Sequence, residues 1–104
     1  MAFNTIFFAK SPDADKTEHQ STIRTGKTTL HSSIVRNLED CLFVYKMIAE
    51  KEKVDAITLC PGFTHSEVAE IVKQTGGTIS VTVARGDSLS GRIVQEAFKR
   101  EGLI

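Results

Sequence analysis

The order of apolar segments along the chain predicts an α/β fold with a mainly parallel four-stranded sheet flanked by helices. Short segments rich in β-branched and aromatic residues alternate with segments whose apolar residues recur at helical spacing. At 104 residues the chain is the size of one domain, so we expect a single α/β domain over residues 1–104. The alternative is an α+β arrangement in which the second strand runs antiparallel to the first.

The first strand is predicted at residues 3–9, FNTIFFA, and ends at the Lys-Ser-Pro of residues 10–12. Asp15 followed by Glu18 forms a capping-box pattern, and Gly26 is a stop signal, which together predict a helix over residues 16–25. Ile23 is the only large aliphatic residue in that segment, so a polar loop fits it equally well.

A second strand at residues 28–35 leads to a strong helix that begins after Asn37, a residue suited to N-capping. We interpret Cys41 as a small core residue of that helix. Phe43, Val44 and Met47 lie off the main stripe, which indicates either a larger core or a homo-oligomer interface. The predicted inward stripe consists of Leu38, Cys41, Leu42, Tyr45, Ile48 and Ala49.

The second half of the chain repeats the strand and helix order twice. Residues 54–60, VDAITLC, predict an internal parallel strand because they are short and continuously apolar. Thr64 with Glu67 three residues later predicts the next helix, which Gly76 ends.

Residues 78–84, TISVTVA, predict a last strand that lies toward an edge of the sheet or faces another subunit, because only alternate residues are apolar. A final helix ends near Gly102. The residues predicted to pack inward from it are Leu89, Ile93, Val94, Ala97 and Phe98.

Charge and cysteine content exclude several classes of protein. Lys and Arg together number 13, as do Asp and Glu, so the formal net charge is zero. We therefore expect neither nucleic acid nor a membrane surface as a partner. The lack of a roughly 20-residue apolar run and of a signal-peptide pattern predicts a cytoplasmic protein. Two cysteines without a C-x-x-C pair fit a reducing compartment, and the histidine spacing fits no metal motif, so we expect neither metal nor cofactor.

The carboxyl edge of the sheet is where we expect a site, because helix N-termini and strand-end loops meet there. Three segments reach this edge, at residues 10–11, 60–65 and 85–90. Their glycines allow close approach to backbone, and their arginine offers a fork of donors, which suits a carboxylate or phosphate. We therefore predict binding of a small anionic metabolite by Gly62, Thr64, His65, Arg85, Gly86 and Ser88.

Two alternatives remain open at the level of sequence. A small enzyme would use Cys60 as nucleophile or His65 as acid or base, because a thiol near a helix N-terminus and an imidazole is activated. A structural or interaction subunit of a homo-oligomer would need no ligand. Whichever function holds, we expect a homo-oligomer, because the chain is small. A P-loop is rejected for residues 25–29, TGKTT, because the required first glycine is Ser21 and the segment precedes a strand.

Three blocks of the sequence carry a resemblance to a family. They are MAFNTIFFAKSPDAD at the start, LCPGFTHSEVAEI from Leu59 to Ile71, and VARGDSLSGRI from Val83 to Ile93. The chain resembles, over essentially its whole length, a family of short proteins known only as a domain of unknown function. That resemblance implies no activity, cofactor or catalytic residue. It implies only that the strand-end features coincide with the blocks that characterise the family.

Overall fold

A computed structural model describes residues 2–85 and 90–104 of the chain. The fold is α/β, as predicted, but the sheet has five strands rather than four. In chain order the elements are β1 (Phe3–Lys10), β2 (Gln20–Arg24), β3 (Thr28–Val35), α1 (Leu38–Lys51), β4 (Ala56–Leu59), α2 (His65–Gln74), β5 (Ser80–Val83) and α3 (Gly91–Arg100).

The sheet is mixed, with strand order β2-β3-β1-β4-β5. β1 lies at its centre and pairs in parallel with both β3 and β4, and β4 pairs in parallel with β5. The one antiparallel pair joins β2 to β3. The second predicted strand, residues 28–35, is therefore parallel to the first. Because four strands point the same way, their carboxyl ends meet at one edge of the sheet.

The predicted helix over residues 16–25 is wrong, since residues 20–24 form β2 on the edge of the sheet. The turn at Thr25–Thr28 closes a hairpin, with the Thr25 N–H donating to the Thr28 carbonyl at 2.8 Å. A segment with a single aliphatic side chain cannot bury a helical stripe, whereas an edge strand needs only backbone partners on one side. The rejected P-loop segment is thus a hairpin turn.

The long helix α1 begins where the sequence predicts, because the Asn37 side chain accepts a hydrogen bond from the Asp40 N–H at 2.9 Å. Cys41 is buried, in agreement with its assignment to the core. Val44 is also buried, so for this residue the larger core is the correct one of the two predicted alternatives. Phe43 and Met47 are 47% and 48% exposed and lie on the side of α1 that faces β2 and β3.

The segment from β4 to β5 follows the sequence prediction closely. Thr64 and Glu67 form a capping box at the start of α2. Gly76 follows the end of that helix with φ +73°, a conformation that favours glycine. β5 is the edge strand opposite β2, and Ile79, Val81 and Val83 are half-buried, as their alternation predicts.

The two faces of the sheet differ in what covers them. One face carries Ile6 and Phe8 of β1 into a core completed by side chains of α1 and α2. The opposite face exposes Phe3 (52%), Ile23 (61%) and Ile34 (41%). Every strand side chain on this opposite face is uncharged: Phe3, Thr5, Phe7, Ala9, Ser21, Ile23, Thr28, Leu30, Ser32, Ile34, Ala56, Thr58, Ser80 and Thr82.

The inward packing predicted for α3 is wrong in its first turn, where Ile93 is 67% and Val94 45% exposed. Ala97 and Phe98 are half-buried, while Leu89 lies outside the described residues. The helix contributes no buried residue to the core. α1 and α2 already cover the core face of the sheet, so α3 packs outside that core.

Candidate functional site

The carboxyl edge of the sheet is organised around Lys10, the last residue of β1. Its Nζ lies 2.8 and 2.9 Å from the two carboxylate oxygens of Glu67 in α2. The same Nζ lies 4.8 Å from the centre of the ring of Phe63, a buried residue of the loop between β4 and α2. Lys10 therefore ties the ends of β1 and β4 to the first turn of α2.

Cys60 is half-buried at the end of β4, and its Sγ accepts a hydrogen bond from the Lys10 N–H at 3.3 Å. A Cβ added at Gly62 would lie 3.5 Å from this sulfur, which is an ordinary van der Waals distance. His65 begins α2 and is exposed. Within residues 2–85 and 90–104 no hydrogen bond joins Cys60 to His65. The proposed nucleophile and base are thus neighbours without a direct link.

Thr64 and Arg85 both hold the loop that precedes α2. The Thr64 hydroxyl accepts from the Glu67 N–H at 3.2 Å, and the Glu67 carboxylate accepts from the Thr64 N–H at 2.9 Å. The Arg85 guanidinium donates to the Phe63 carbonyl at 3.2 Å. The remaining predicted ligand-binding residues, Gly86 and Ser88, and the flanking Asp87, lie outside the described residues.

A cavity of about 670 Å³ lies at this edge, within the size range of small-molecule sites. Arg36 contributes a second cationic side chain and donates to the Ala14 carbonyl at 3.1 Å. Sequence reasoning missed Arg36, although its position directly after β3 marks it as an edge residue. The cavity is lined by Ala9, Lys10, Ser11, Pro12, Arg36, Cys60, Pro61, Gly62, Phe98, Gly102, Leu103 and Ile104.

Two ionisable groups near this edge have shifted pKa values. Burial alone would raise the pKa of Glu67, but hydrogen bonds from Lys10 and from the Thr64 N–H outweigh it and lower that pKa. Burial raises the pKa of the Cys41 thiol to about 12, with the charge of Glu67 adding to the effect. Glu67 is therefore a carboxylate at neutral pH, whereas Cys41 is an inert thiol.

A second polar cluster, which sequence reasoning missed, lies between the β2–β3 hairpin and the end of α1. His31 is 7% exposed, and its ring nitrogens lie 3.0 Å from Thr22 Oγ1 and 2.8 Å from Glu52 Oε2. Arg24 approaches the other Glu52 oxygen at 2.6 Å. Hydrogen bonds from Arg24, then from Asn4 and His31, overcome the effect of burial and lower the pKa of Glu52.

Two buried polar atoms of this region have no hydrogen-bond partner among the described residues. They are Asn4 Oδ1 and Ser33 Oγ, on side chains that are 5% and 3% exposed. Ser33 lies two residues beyond His31 on β3 and lines a groove of about 500 Å³ beside α1. The signal available in the sequence was alternation: residues 29, 31 and 33 are polar at positions that face the core.

The described part of the chain, residues 2–85 and 90–104, holds no cluster of three His, Cys, Asp or Glu side chains suited to a metal ion. In the same residues, no helix has the length and apolar character needed to cross a membrane.

The fold and its edge define a small α/β protein with a mixed five-stranded sheet and a cavity at the carboxyl ends of its strands. Residues 3–99 match the model of DUF6506, a family of unknown function, and the chain belongs to that family. This confirms the resemblance found in the sequence. No curated protein and no solved structure matches the chain.

Proposed function

We propose that the protein binds a small organic anion in the cavity at the carboxyl edge of its sheet. The observation that carries this proposal is the composition of the cavity wall. Lys10 and Arg36 contribute cationic side chains from the ends of β1 and β3, and Phe98, Leu103 and Ile104 contribute apolar side chains from α3 and the residues after it. Such a wall suits a molecule with an anionic group and an apolar portion.

The charge balance of the edge favours Arg36 over Lys10 as the anchor for the anion. Lys10 already has a carboxylate partner in Glu67, whereas Arg36 donates to the neutral Ala14 carbonyl and forms no ion pair within residues 2–85 and 90–104, although Asp13 is near enough to feel its charge. A guanidinium has five N–H donors in a planar fork, so Arg36 retains donors for a carboxylate or phosphate while it holds the Ala14 carbonyl.

The residues that the sequence singled out have supporting roles in this proposal. Thr64 caps α2, and Arg85 holds the Phe63 carbonyl, so both shape the loop that ends at the cavity. Gly62 lines the cavity itself. An anion that reached the start of α2 would meet Glu67 there, so we place the ligand nearer to Arg36 than to His65.

A thermal-shift screen against carboxylic acids, sugar phosphates and nucleotides tests the proposal. A ligand at about 100 times its dissociation constant adds about 2.7 kcal/mol to the native state, which is a large shift for a domain of this size. Arg36→Gln should abolish the shift. Arg92→Gln is the matched control, because Arg92 is exposed on α3 and does not line the cavity.

The outcome with Arg85→Ala locates the site more closely. We expect this variant to keep most of the ligand-induced shift, because Arg85 supports the loop without lining the cavity. Loss of the shift in Arg85→Ala but not in Arg36→Gln would move the site to the start of α2, as first predicted from the sequence. A panel without any stabilising anion would count against an anion site at this edge altogether.

A thiol-dependent enzyme is the second candidate function, because Cys60 Sγ lines the cavity and accepts the Lys10 N–H. Cys41 is 1% exposed, so burial alone makes Cys60 the faster of the two thiols to alkylate. The informative quantity is the absolute rate with iodoacetamide at pH 7. A rate well above that of glutathione supports an activated thiolate, and an equal or slower rate removes it.

Self-association is supported independently by the charge-free face of the sheet. Strands about 4.8 Å apart with a rise of about 3.3 Å per residue give this face a flat area of roughly 450 Å². That flat area is roughly half of the 800 Å² or so that each partner buries in a standard interface, so a dimer through this face would be a small one. A second copy offers the same uncharged surface, as a two-fold interface requires, so we propose a homodimer through this face.

Sedimentation equilibrium tests the homodimer with a matched pair of substitutions. Ile34 and Val72 are 41% and 40% exposed, but Ile34 lies on the charge-free face and Val72 on α2. Ile34→Glu should give a monomer, and Val72→Glu should remain a dimer. A wild-type protein that is monomeric at about 100 µM would exclude this dimer. The proposal also includes a cytoplasmic location, supported by the free thiols Cys41 and Cys60.

A further inference from the structure

We infer that the groove between the β2–β3 hairpin and α1 is a second binding site, separate from the cavity at the carboxyl edge. Its ligand class is a small organic carboxylate with a ring-sized apolar body and a hydrogen-bonding group at the end remote from the charge. The groove has a volume of about 500 Å³, which accommodates such a molecule. The inference rests on three features of its walls.

The first feature is the unpaired hydroxyl of Ser33. This side chain is 3% exposed and lines the groove, yet its Oγ has no hydrogen-bond partner among the described residues. Buried polar atoms in folded proteins are nearly always hydrogen-bonded, because burial without a partner is costly. The Oγ itself is covered by its neighbours, so the Ser33 side chain must turn toward the groove before a ligand group can bond it, and that bond then removes this cost.

The second feature is the distribution of charge along the groove. Arg24 is paired with Glu52 at 2.6 Å, and Lys16 is paired with Asp40 at 3.4 Å. Lys51, at the end of α1, lines the groove and has no ion-pair partner within residues 2–85 and 90–104. Glu52 is already bound through its two oxygens by Arg24 and His31, so it is not free to pair with Lys51. An anionic ligand can therefore bind beside Lys51.

The third feature is the apolar wall opposite the strands. Phe43 and Met47 line the groove and are each about half exposed. They lie on one side of α1, four residues apart. A flat apolar body placed against them would be covered on one side by the helix and on the other by the polar strip of β3. Such a ligand would cover the exposed part of both side chains, beside the Lys16 Nζ that lies 5.1 Å from the centre of the Phe43 ring.

The spacing of these features sets the shape of the ligand. Ser33 and His31 are two residues apart on β3, or roughly 6.6 Å, and Lys51 lies beyond His31 beside Glu52. The carboxylate and the remote hydrogen-bonding group are therefore farther apart than the roughly 6.6 Å between Ser33 and His31. This matches a para-hydroxyaryl carboxylate, and 3-(4-hydroxyphenyl)propionate is a suitable probe.

The test is a set of matched probes measured by two-dimensional amide NMR titration. The complete probe is compared with 3-phenylpropionate, which lacks the hydroxyl, and with 3-(4-hydroxyphenyl)propanamide, which lacks the charge. We expect saturable shifts at residues of β2, β3 and α1. Removal of the hydroxyl should weaken binding three- to tenfold, and removal of the charge should weaken it about tenfold.

Two substitutions assign these losses to their side chains. Ser33→Ala should bind the complete probe and 3-phenylpropionate with equal affinity. Lys51→Gln should bind the complete probe and 3-(4-hydroxyphenyl)propanamide with equal affinity. Lys46→Gln is the matched control, because Lys46 is exposed on α1 and does not line the groove. Lys51 lies at the surface end of its helix, so Lys51→Gln tests the site even if Ser33→Ala does not fold.

Three results would overturn the inference. They are the absence of saturable shifts up to about 10 mM probe, equal effects of Lys46→Gln and Lys51→Gln, and shifts confined to residues 9–12 and 60–62. The last of these results would place the probe in the cavity at the carboxyl edge. It would thus support the proposed function while excluding the second site. If no anion binds at the carboxyl edge, the groove titration can still give saturable shifts, because the two cavities share no lining residue.

Discussion

The cavity at the carboxyl edge and the groove beside α1 differ in how their polar groups are satisfied. At the edge, Lys10 is paired with Glu67, Cys60 accepts a backbone N–H and Arg36 holds a backbone carbonyl. In the groove, His31 is fully hydrogen-bonded, yet Ser33 Oγ two residues away has no partner among the described residues.

This difference indicates two relationships between stability and binding. The edge is built from contacts that stabilise the protein without a ligand, so a ligand there adds to an already satisfied structure. The groove carries a buried hydroxyl that is costly until something binds it. Function at the edge should therefore be hard to separate from folding, whereas function in the groove should separate from it readily.

The largest expected effect is that of Phe63→Ala. Phe63 is 1% exposed, supports the loop after β4 and lies under Lys10. Its removal leaves a cavity in the core, so we expect a loss of about 3–5 kcal/mol in the free energy of unfolding by urea. Phe43→Ala in the groove wall is the control and should cost about 1 kcal/mol or less, because Phe43 is half exposed. Equal costs would contradict the difference between the two regions.

The next largest effect on the free energy of unfolding is expected from His31→Ala in the groove. His31 is 7% exposed, and the change leaves Thr22 Oγ1 without its ring partner and removes one of the contacts of Glu52, which keeps those with Arg24 and Asn4. We expect a loss of about 2–3 kcal/mol in the free energy of unfolding. His65→Ala should change stability by about 0.5 kcal/mol or less, because His65 is exposed on the first turn of α2. A small effect of His31→Ala would mean that the cluster is not a structural unit.

The edge was predictable from the sequence because its signals are local. Pro61-Gly62 marks a turn, and Thr64 with Glu67 marks a capping box, so short-range chemistry is sufficient to place the start of α2. The parallel order of the strands then brings residues 10–12 and 60–62 to one edge. What sequence could not supply was the partner of Lys10, because Glu67 lies 57 positions away.

The groove escaped prediction because its defining contacts depend on β2. When residues 16–25 are taken as a helix or loop, Thr22 and Arg24 have no assigned neighbours, and His31 is an isolated histidine in a strand. The antiparallel pairing of Thr22 with His31 creates the cluster. Edge strands rich in polar residues lack the apolar alternation on which sequence reasoning depends, so this error led directly to the missed site.

A smaller effect is expected from Glu67→Gln at the edge. Glutamine keeps a side-chain oxygen for the capping box but loses the ion pair with Lys10. At neutral pH the variant should be less stable by about 1 kcal/mol or less. The pKa of Glu67 is lower in the folded protein than its ordinary value of 4.5. Its stabilisation is therefore fully present above about pH 4.5 and is lost as pH falls through the folded pKa.

Urea denaturation of wild type and Glu67→Gln between pH 3 and pH 7 measures that dependence. The difference in unfolding free energy between the two proteins should be constant near neutrality and should shrink in acid. Glu70→Gln is a suitable control, because Glu70 also lies on α2 but is bound by the neutral Gln74 amide rather than by a lysine. A difference that persists at pH 3 would show that the capping geometry, rather than the ion pair, is what glutamine disturbs.

The smallest expected effect is the change in stability on replacing a serine by alanine. Its sign should differ between Ser33 in the groove and Ser11 at the edge. Ser33→Ala removes an unpaired buried hydroxyl, so the unliganded protein should be as stable as wild type or more stable by about 0.5–1 kcal/mol. Ser11→Ala at the edge removes a hydroxyl that donates to Asp13 Oδ1 at 2.6 Å, so its stability should fall slightly. Thermal unfolding of both variants measures the two signs. A destabilised Ser33→Ala would mean that this hydroxyl already contributes to the unliganded fold, and the groove would then be as self-sufficient as the edge.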